Sequence, residues 1–152
     1  MSAAVMHIAG AGPAGLAAAI TLARAGRRVQ VHEAHPTVGH RFHGDLQGLE
    51  NWTEEEDVLE MLRDLDIGCG FATLPCREGT VFDARGRAYA VHSRAPLFYM
   101  IERGPRPGTL DTALLAQAGK LGVEVRFNDR LARVEGPAVL ALGPRAADVI
   151  AV

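Results

Sequence analysis

The chain has little lysine, little cysteine and almost no net charge. Fifteen of its 16 basic residues are arginine and only Lys120 is lysine; against 18 acidic residues the formal charge is −2. Such a balance leaves no basic surplus for a phosphate backbone, so nothing points to a nucleic-acid partner. The arginine bias is compositional and by itself carries no function. The two cysteines, Cys69 and Cys76, have six residues between them in "CGFATLPC". This is no C-x-x-C, so neither a redox nor a zinc pattern is present. Two thiols in 152 residues suit a reducing compartment. A chain of this length can bury a real core without disulfides or metals and is read as one domain.

Long hydrophobic runs are also missing. The most apolar stretch, "IAGAGPAGLAAAITLA", is too short to span a bilayer and is broken by three glycines and a proline. No basic segment precedes it, as a secretory signal would require. The expectation is a cytoplasmic protein with no integral membrane segment. Internal repeats and low-complexity segments are absent as well.

The amino-terminal third carries a clear pattern. "VMHIAG" (Val5 to Gly10) suits a buried strand, and "AGPAGLAAAITLARAG" favours a helix that Gly26 would end. "RRVQVHE" alternates as a second strand ending at Glu33. Within this strand–helix–strand unit lies Gly10-Ala11-Gly12-Pro13-Ala14-Gly15, a G-x-G-x-x-G. Gly10 allows the tight turn, Gly12 lets a pyrophosphate approach the backbone, and Gly15 lets helix and strand pack closely. The helix start offers free N–H groups and partial positive charge to a phosphate. Pro13 fits the first turn, where its missing N–H costs nothing. Ala19 and Gly26 are expected to keep later turns of the helix small against the sheet. Glu33 stands twenty-three residues after Gly10, where a carboxylate can accept hydrogen bonds from ribose hydroxyls and would repel a 2′-phosphate.

"HPTVGHRFHGDLQGLENW" follows, His35 to Trp52, with no obvious helix or strand. A simple NAD domain would resume its alternation here; instead Pro36, Gly39, Gly44 and Gly48 interrupt any helix until Thr53. His32, His35, His40 and His43 form two H-x-x-H pairs that suggest zinc. Inward-facing ligands with a supporting shell are needed for that, and a loop beside a nucleotide site is not such a setting. The expectation is no metal.

The stretch "IAGAGPAGLAAAITLARAGRRVQVHE" resembles the amino-terminal end of FAD-dependent oxidoreductases of the geranylgeranyl reductase and aromatic hydroxylase type. "VGHRFHGDLQGLENW" is closer to the reductase-like members. The resemblance implies a Rossmann-like α/β domain for FAD or NAD(P), with a parallel sheet and a small antiparallel β insertion. It implies FAD reduced by NAD(P)H, which then reduces a C=C bond or activates oxygen on a small-molecule substrate. Implied cofactor-binding residues are Gly10, Gly12, Pro13, Ala14 and Gly15 for pyrophosphate and Glu33 for the adenosine ribose. Arg41 is implied for phosphate or ribityl, Arg103 beside the flavin with Arg106 competing for that role, and Leu131, at the start of a strand, near the adenine.

Further along, Thr53 and Glu56 are spaced as a capping box for a helix with an apolar stripe of Val58, Met61, Leu62 and Leu65, ended by Gly68. "TVFDARGRAYAVHS" reads as a hairpin and "LFYMIER" as a strand. "GTLDTALLAQAGKLGVEVRF" reads as a helix stopped by Gly122, then a strand from Val123 to Phe127, with Asp111 a helix-start acid rather than a catalytic one. Cys76 has no partner base and is expected to be a buried structural thiol. "VLALG" resembles the A-T-G strand of the family, with Leu142 in place of Thr, and "DVIAV" reads as a further strand. The family's later Gly-Asp segment and substrate-facing sheet have no counterpart in residues 1–152. The domain is therefore expected to be incomplete at its carboxyl end. No catalytic residue is identifiable. A non-catalytic dinucleotide-binding module, completed by a partner chain, and an NAD-dependent dehydrogenase fragment remain alternatives.

Overall fold

A computed structural model of the chain describes residues 4–133 and 136–143. The expected "DVIAV" strand lies outside the described residues. From the amino end the elements are β1 (Met6–Ala9), α1 (Pro13–Arg24), β2 (Val29–His32), β3 (Leu46–Glu50), α2 (Val58–Asp64) and β4 (Thr73–Cys76). Then come β5 (Glu78–Phe82), β6 (Ala88–His92), β7 (Phe98–Glu102), α3 (Leu110–Lys120), β8 (Glu124–Arg126) and β9 (Ala138–Leu140).

Four strands form a parallel sheet in the order β8-β2-β1-β9. Strand side chains alternate between faces, and the register places Ile8, Val31, Val125 and Val139 on one of them. Ile8 and Val31 are fully buried and cluster with Leu16, Ala19 and Ile20 of α1 and with Leu114 and Ala118 of α3. Each large aliphatic side chain so buried stabilises the fold by about 1.5–3 kcal/mol. The opposite face carries His7, Gln30, His32, Glu124, Arg126 and Leu140, and Leu140 is 74% exposed. The α/β class with a parallel sheet is thus as expected.

A second sheet, β3-β7-β4, is antiparallel, and β5 and β6 form a separate hairpin. Together they make the antiparallel insertion. Two of these strands escape a local reading. β3 lies inside the glycine-rich stretch and is ordered by pairing with β7, fifty residues on. β4 contains Pro75, which is tolerated because β4 is an edge strand.

Several local expectations are corrected. The Thr53–Glu56 capping box does not form: the Thr53 hydroxyl donates to Glu50 at 2.6 Å. Asp57 caps α2 instead, accepting from the Leu59 N–H at 2.9 Å. Tyr99 and Asn51 also donate to its carboxylate and fix it there. The packed side of α2 is Val58, Leu59 and Leu62, while Met61 and Leu65 are exposed. Past α2 it is Asp66, with φ 58°, that takes the left-handed conformation, not Gly68. Gly26 likewise serves by its φ of 74° and is exposed, so it ends α1 without packing on the sheet. Leu131 belongs to no strand. Cys69 and Cys76 are both only partly buried; Cys69 is the one packed against the core, where burial pushes its thiol above its ordinary range.

Candidate dinucleotide site

The site begins where β1 turns into α1. The N–H of Gly10 donates to the His32 carbonyl, and the N–H of Ala141 donates to the Ala9 carbonyl, both at 2.8 Å. The turn is therefore clamped from the β2 side and the β9 side. Gly10 has φ 100°, and a Cβ there would overlap the Ala141 carbonyl oxygen. A Cβ on Gly15 would overlap the Gly10 carbonyl oxygen. Gly12, the N-cap of α1, is different: a Cβ on it would meet no protein atom within 4 Å. The space beside Gly12 belongs to a cavity, and the first-turn N–H groups of α1 are left over at its wall.

That cavity has a volume of about 930 Å³. Gly10, Gly12, Pro13, Ala14, Glu33, Arg41, Arg103 and Leu131 all line it, whereas Gly15 sits behind the turn. Glu33 stands across from the helix start. Its Oε2 accepts from the Ala11 N–H at 2.8 Å and its Oε1 from the His35 N–H at 2.9 Å. Each oxygen keeps a lone pair for a further donor.

The glycine-rich loop after β2 folds over the cavity. Gly39 has φ 58°, and a Cβ on it would lie 2.8 Å from Gly104, so the loop and the segment after β7 touch backbone to backbone. Arg41 reaches the β9 end, where a Cβ on Gly143 would lie 3.1 Å from its guanidinium. Arg103 is 11% exposed and pairs through Nε and Nη2 with both oxygens of fully buried Asp111, at 2.8 and 2.9 Å. Its Nη1 donates to Gln47 at 2.7 Å, and the guanidinium lies 4.4 Å from the Phe42 ring centroid. Asp111 also accepts from the Gly104 N–H at 2.9 Å. Asp111 does sit in the first turn of α3, but its carboxylate is the anchor for Arg103. Arg106 turns away, exposed and paired with Glu102.

Sequence reasoning missed Arg130 and Phe42, which also line the cavity. The Phe42 ring lies beside both Arg41 and Arg103, and an aromatic next to an arginine was the only available signal. Arg130 had none. Among the described residues neither Arg41 nor Arg130 has an ion-pair partner. Two such cations and a helix start favour an anionic occupant.

The histidines separate. His35 and His40 stack, with centroids 4.8 Å apart. His32 bonds to His7 and Asp129, and the His43 N–H donates to Asp45. Among the described residues no three His, Cys, Asp or Glu side chains gather as a metal site. No described helix is long and apolar enough to cross a membrane.

Residues 8–64 match the family of NAD(P)-binding Rossmann-like domains. No curated protein matches the chain in sequence. Among solved structures it is similar to 2-methyl-3-hydroxypyridine-5-carboxylic acid oxygenase, with 23% identity and a TM-score of 0.62 over 84% of this chain and 32% of that one. It is also similar to a geranylgeranyl bacteriochlorophyll reductase-like protein from Thermoplasma acidophilum, with 18% identity and a TM-score of 0.58 over 81% of this chain and 29% of that one. A third is aklavinone-11 hydroxylase, solved with FAD and aklavinone, with 26% identity and a TM-score of 0.52 over 84% of this chain and 25% of that one. The chain spans about a third or less of each. The kinds of protein that the sequence resembles, reductase-like and hydroxylase, are thus both among its structural neighbours, and its fold is Rossmann-like.

Proposed function

We propose that residues 1–152 are the FAD-binding part of an oxidoreductase that works on a small molecule. The observation that carries this is the open space at Gly12. Its neighbours Gly10 and Gly15 are filled by backbone, while Gly12 faces the cavity at the start of α1, with Glu33 opposite. That is the shape a dinucleotide's pyrophosphate and adenosine ribose require. FAD is favoured over NAD because the segment after β2 continues as a covering loop and an antiparallel strand rather than another helix of the parallel alternation. The neighbour solved with FAD shares that fold.

In this reading the Gly10–Gly15 turn, with Pro13 and Ala14 at the helix start, holds the pyrophosphate. The free lone pairs of Glu33 accept from the adenosine ribose. Arg41 supplies positive charge to a phosphate, and Leu131 forms the apolar wall near the adenine. Arg103 shapes the wall through its guanidinium plane, since Asp111 and Gln47 already occupy donors on all three of its nitrogens. The flavin, when bound, supplies hydride chemistry, with NAD(P)H as donor and a C=C bond or oxygen as acceptor; the chain supplies orientation and electrostatics. The free thiols fit a cytoplasmic setting. A partner chain could supply what these residues do not.

The test is reconstitution. The purified chain incubated with FAD should retain yellow flavin after desalting, and NADPH should bleach it. Retained flavin that NADPH does not bleach would favour a dinucleotide-binding module. No flavin retained, with NAD bound in calorimetry, would favour the dehydrogenase reading.

A further inference from the structure

One polar chain runs from the parallel sheet to the site, where its middle member, His32, lines the cavity. His7 of β1 and His32 of β2 lie on the same face of the parallel sheet, two register positions apart, because Ala9 stands opposite His32. His7 Nδ1 is 2.9 Å from His32 Nε2, and His32 Nδ1 is 2.9 Å from Asp129 Oδ2. His32 is 6% exposed, so both its ring nitrogens are satisfied inside the protein. Asp129 begins the run that carries Arg130 and Leu131, both of which line the cavity. The run is tied to the end of β2 by backbone as well: Asn128 N–H donates to the His35 carbonyl and Asp129 N–H to the Glu33 carbonyl.

The two backbone bonds fix where the run starts. Directly before Arg130 and Leu131, the Asp129 side chain adds a third tie, to His32 at the end of β2. The proton arrangement follows from the acceptors. An ionised carboxylate can only accept, so His32 Nδ1 carries the hydrogen. With His32 neutral, its Nε2 must accept, so His7 Nδ1 carries the next hydrogen.

We infer that His7, His32 and Asp129 are positioning residues that aim the 129–131 run at the adenosine end of the site. This inference rests on the dinucleotide reading above. Its two parts are a defined proton order, Nδ1–H on both rings, and a dependence of nucleotide affinity on Asp129.

The experiment uses the full chain and ADP as the probe, the half common to FAD and NAD. Histidine ¹⁵N spectra are recorded at pH 8, above the ordinary imidazole value of about 6.5, with His7→Phe for assignment. Both His7 and His32 should carry the proton on Nδ1, and in Asp129→Ala His32 should lose that preference. By calorimetry Asp129→Ala should bind ADP about tenfold more weakly, the loss expected for one charge-assisted hydrogen bond, here part-buried with Asp129 38% exposed. Asp129→Asn keeps an accepting oxygen and should stay within about threefold of the wild type. An Nε2–H proton on His32 in the wild type, or equal ADP binding by the wild type and Asp129→Ala, overturns the inference and leaves the dinucleotide reading standing. No ADP binding by the wild type overturns both.

Discussion

In the parallel sheet, Ile8 and Val31 are fully buried under α1, whereas in the antiparallel segment Leu46, Leu74, Val81 and Phe82 are each more than half exposed. The first region supplies most of the core, which Ile101 of β7 joins, and has the cavity at its edge. The second presents apolar side chains outward and touches the site at a few places, chiefly Gly39 against Gly104 and Arg103 against Asp111. Most of the buried apolar residues and the cavity's turn therefore belong to the parallel half, and substitutions in the two halves should behave differently.

The largest effect is expected where the halves meet. Asp111→Ala leaves Arg103 nearly buried and without its carboxylate, and orphans the Gly104 N–H. Breaking a buried pair this way should cost about 3 kcal/mol or more in a denaturant titration. Within the parallel half, Gly15→Ala should cost about 2–3 kcal/mol by overpacking against the Gly10 carbonyl, despite the better helix propensity of alanine.

A smaller effect belongs to the antiparallel half. Partial burial alone would raise the Asp57 carboxyl, but hydrogen bonds from Tyr99, from the Leu59 and Glu60 N–H groups and from Asn51 outweigh it and hold the group below its ordinary range. The same bond to Asp57 raises the Tyr99 hydroxyl. A lowered carboxyl stabilises the fold above its unfolded value of about 3.9 and loses that contribution as pH falls through the folded value. A raised tyrosine stabilises below its unfolded value of about 10 and loses that contribution as pH rises through its folded value. Tyr99→Phe should therefore flatten both the acid and the alkaline arm of the stability profile, by less than about 1 kcal/mol for this partly exposed pair. Smallest of all, Phe82→Ser on the hairpin should change the melting free energy by no more than about 0.5 kcal/mol. A large loss there would mean that the hairpin belongs to the core.

The same division governs what could be read in advance. The turn from Gly10 to Gly15, α1, β2 and Glu33 are legible because their signals are local: a glycine where backbone must bend, an acid at strand end, an apolar period. β3 and β4 are not, because pairing with β7 orders them at long range and overrides Gly48 and Pro75. The Thr53 cap failed for the same reason, since Tyr99, distant in sequence, helps fix Asp57 instead. In the site, Arg103 was found but its bond to Asp111 was not, because "GPRPGT" separates them in sequence and only the return of the chain joins them. Arg130 and the His7–His32–Asp129 chain depend on residues up to 122 positions apart, which no periodicity reveals.

The central claim is that a dinucleotide occupies the open space at Gly12. Gly12→Val compared with the wild type, in thermal unfolding with and without FAD, tests it most directly. Without FAD the variant should melt no more than about 4 °C below the wild type, because the added Cβ meets no protein atom within 4 Å and only the weaker N-cap is lost. With FAD only the wild type should gain stability, since the valine fills the pyrophosphate's place. A stabilisation by FAD that survives intact in Gly12→Val would contradict the account.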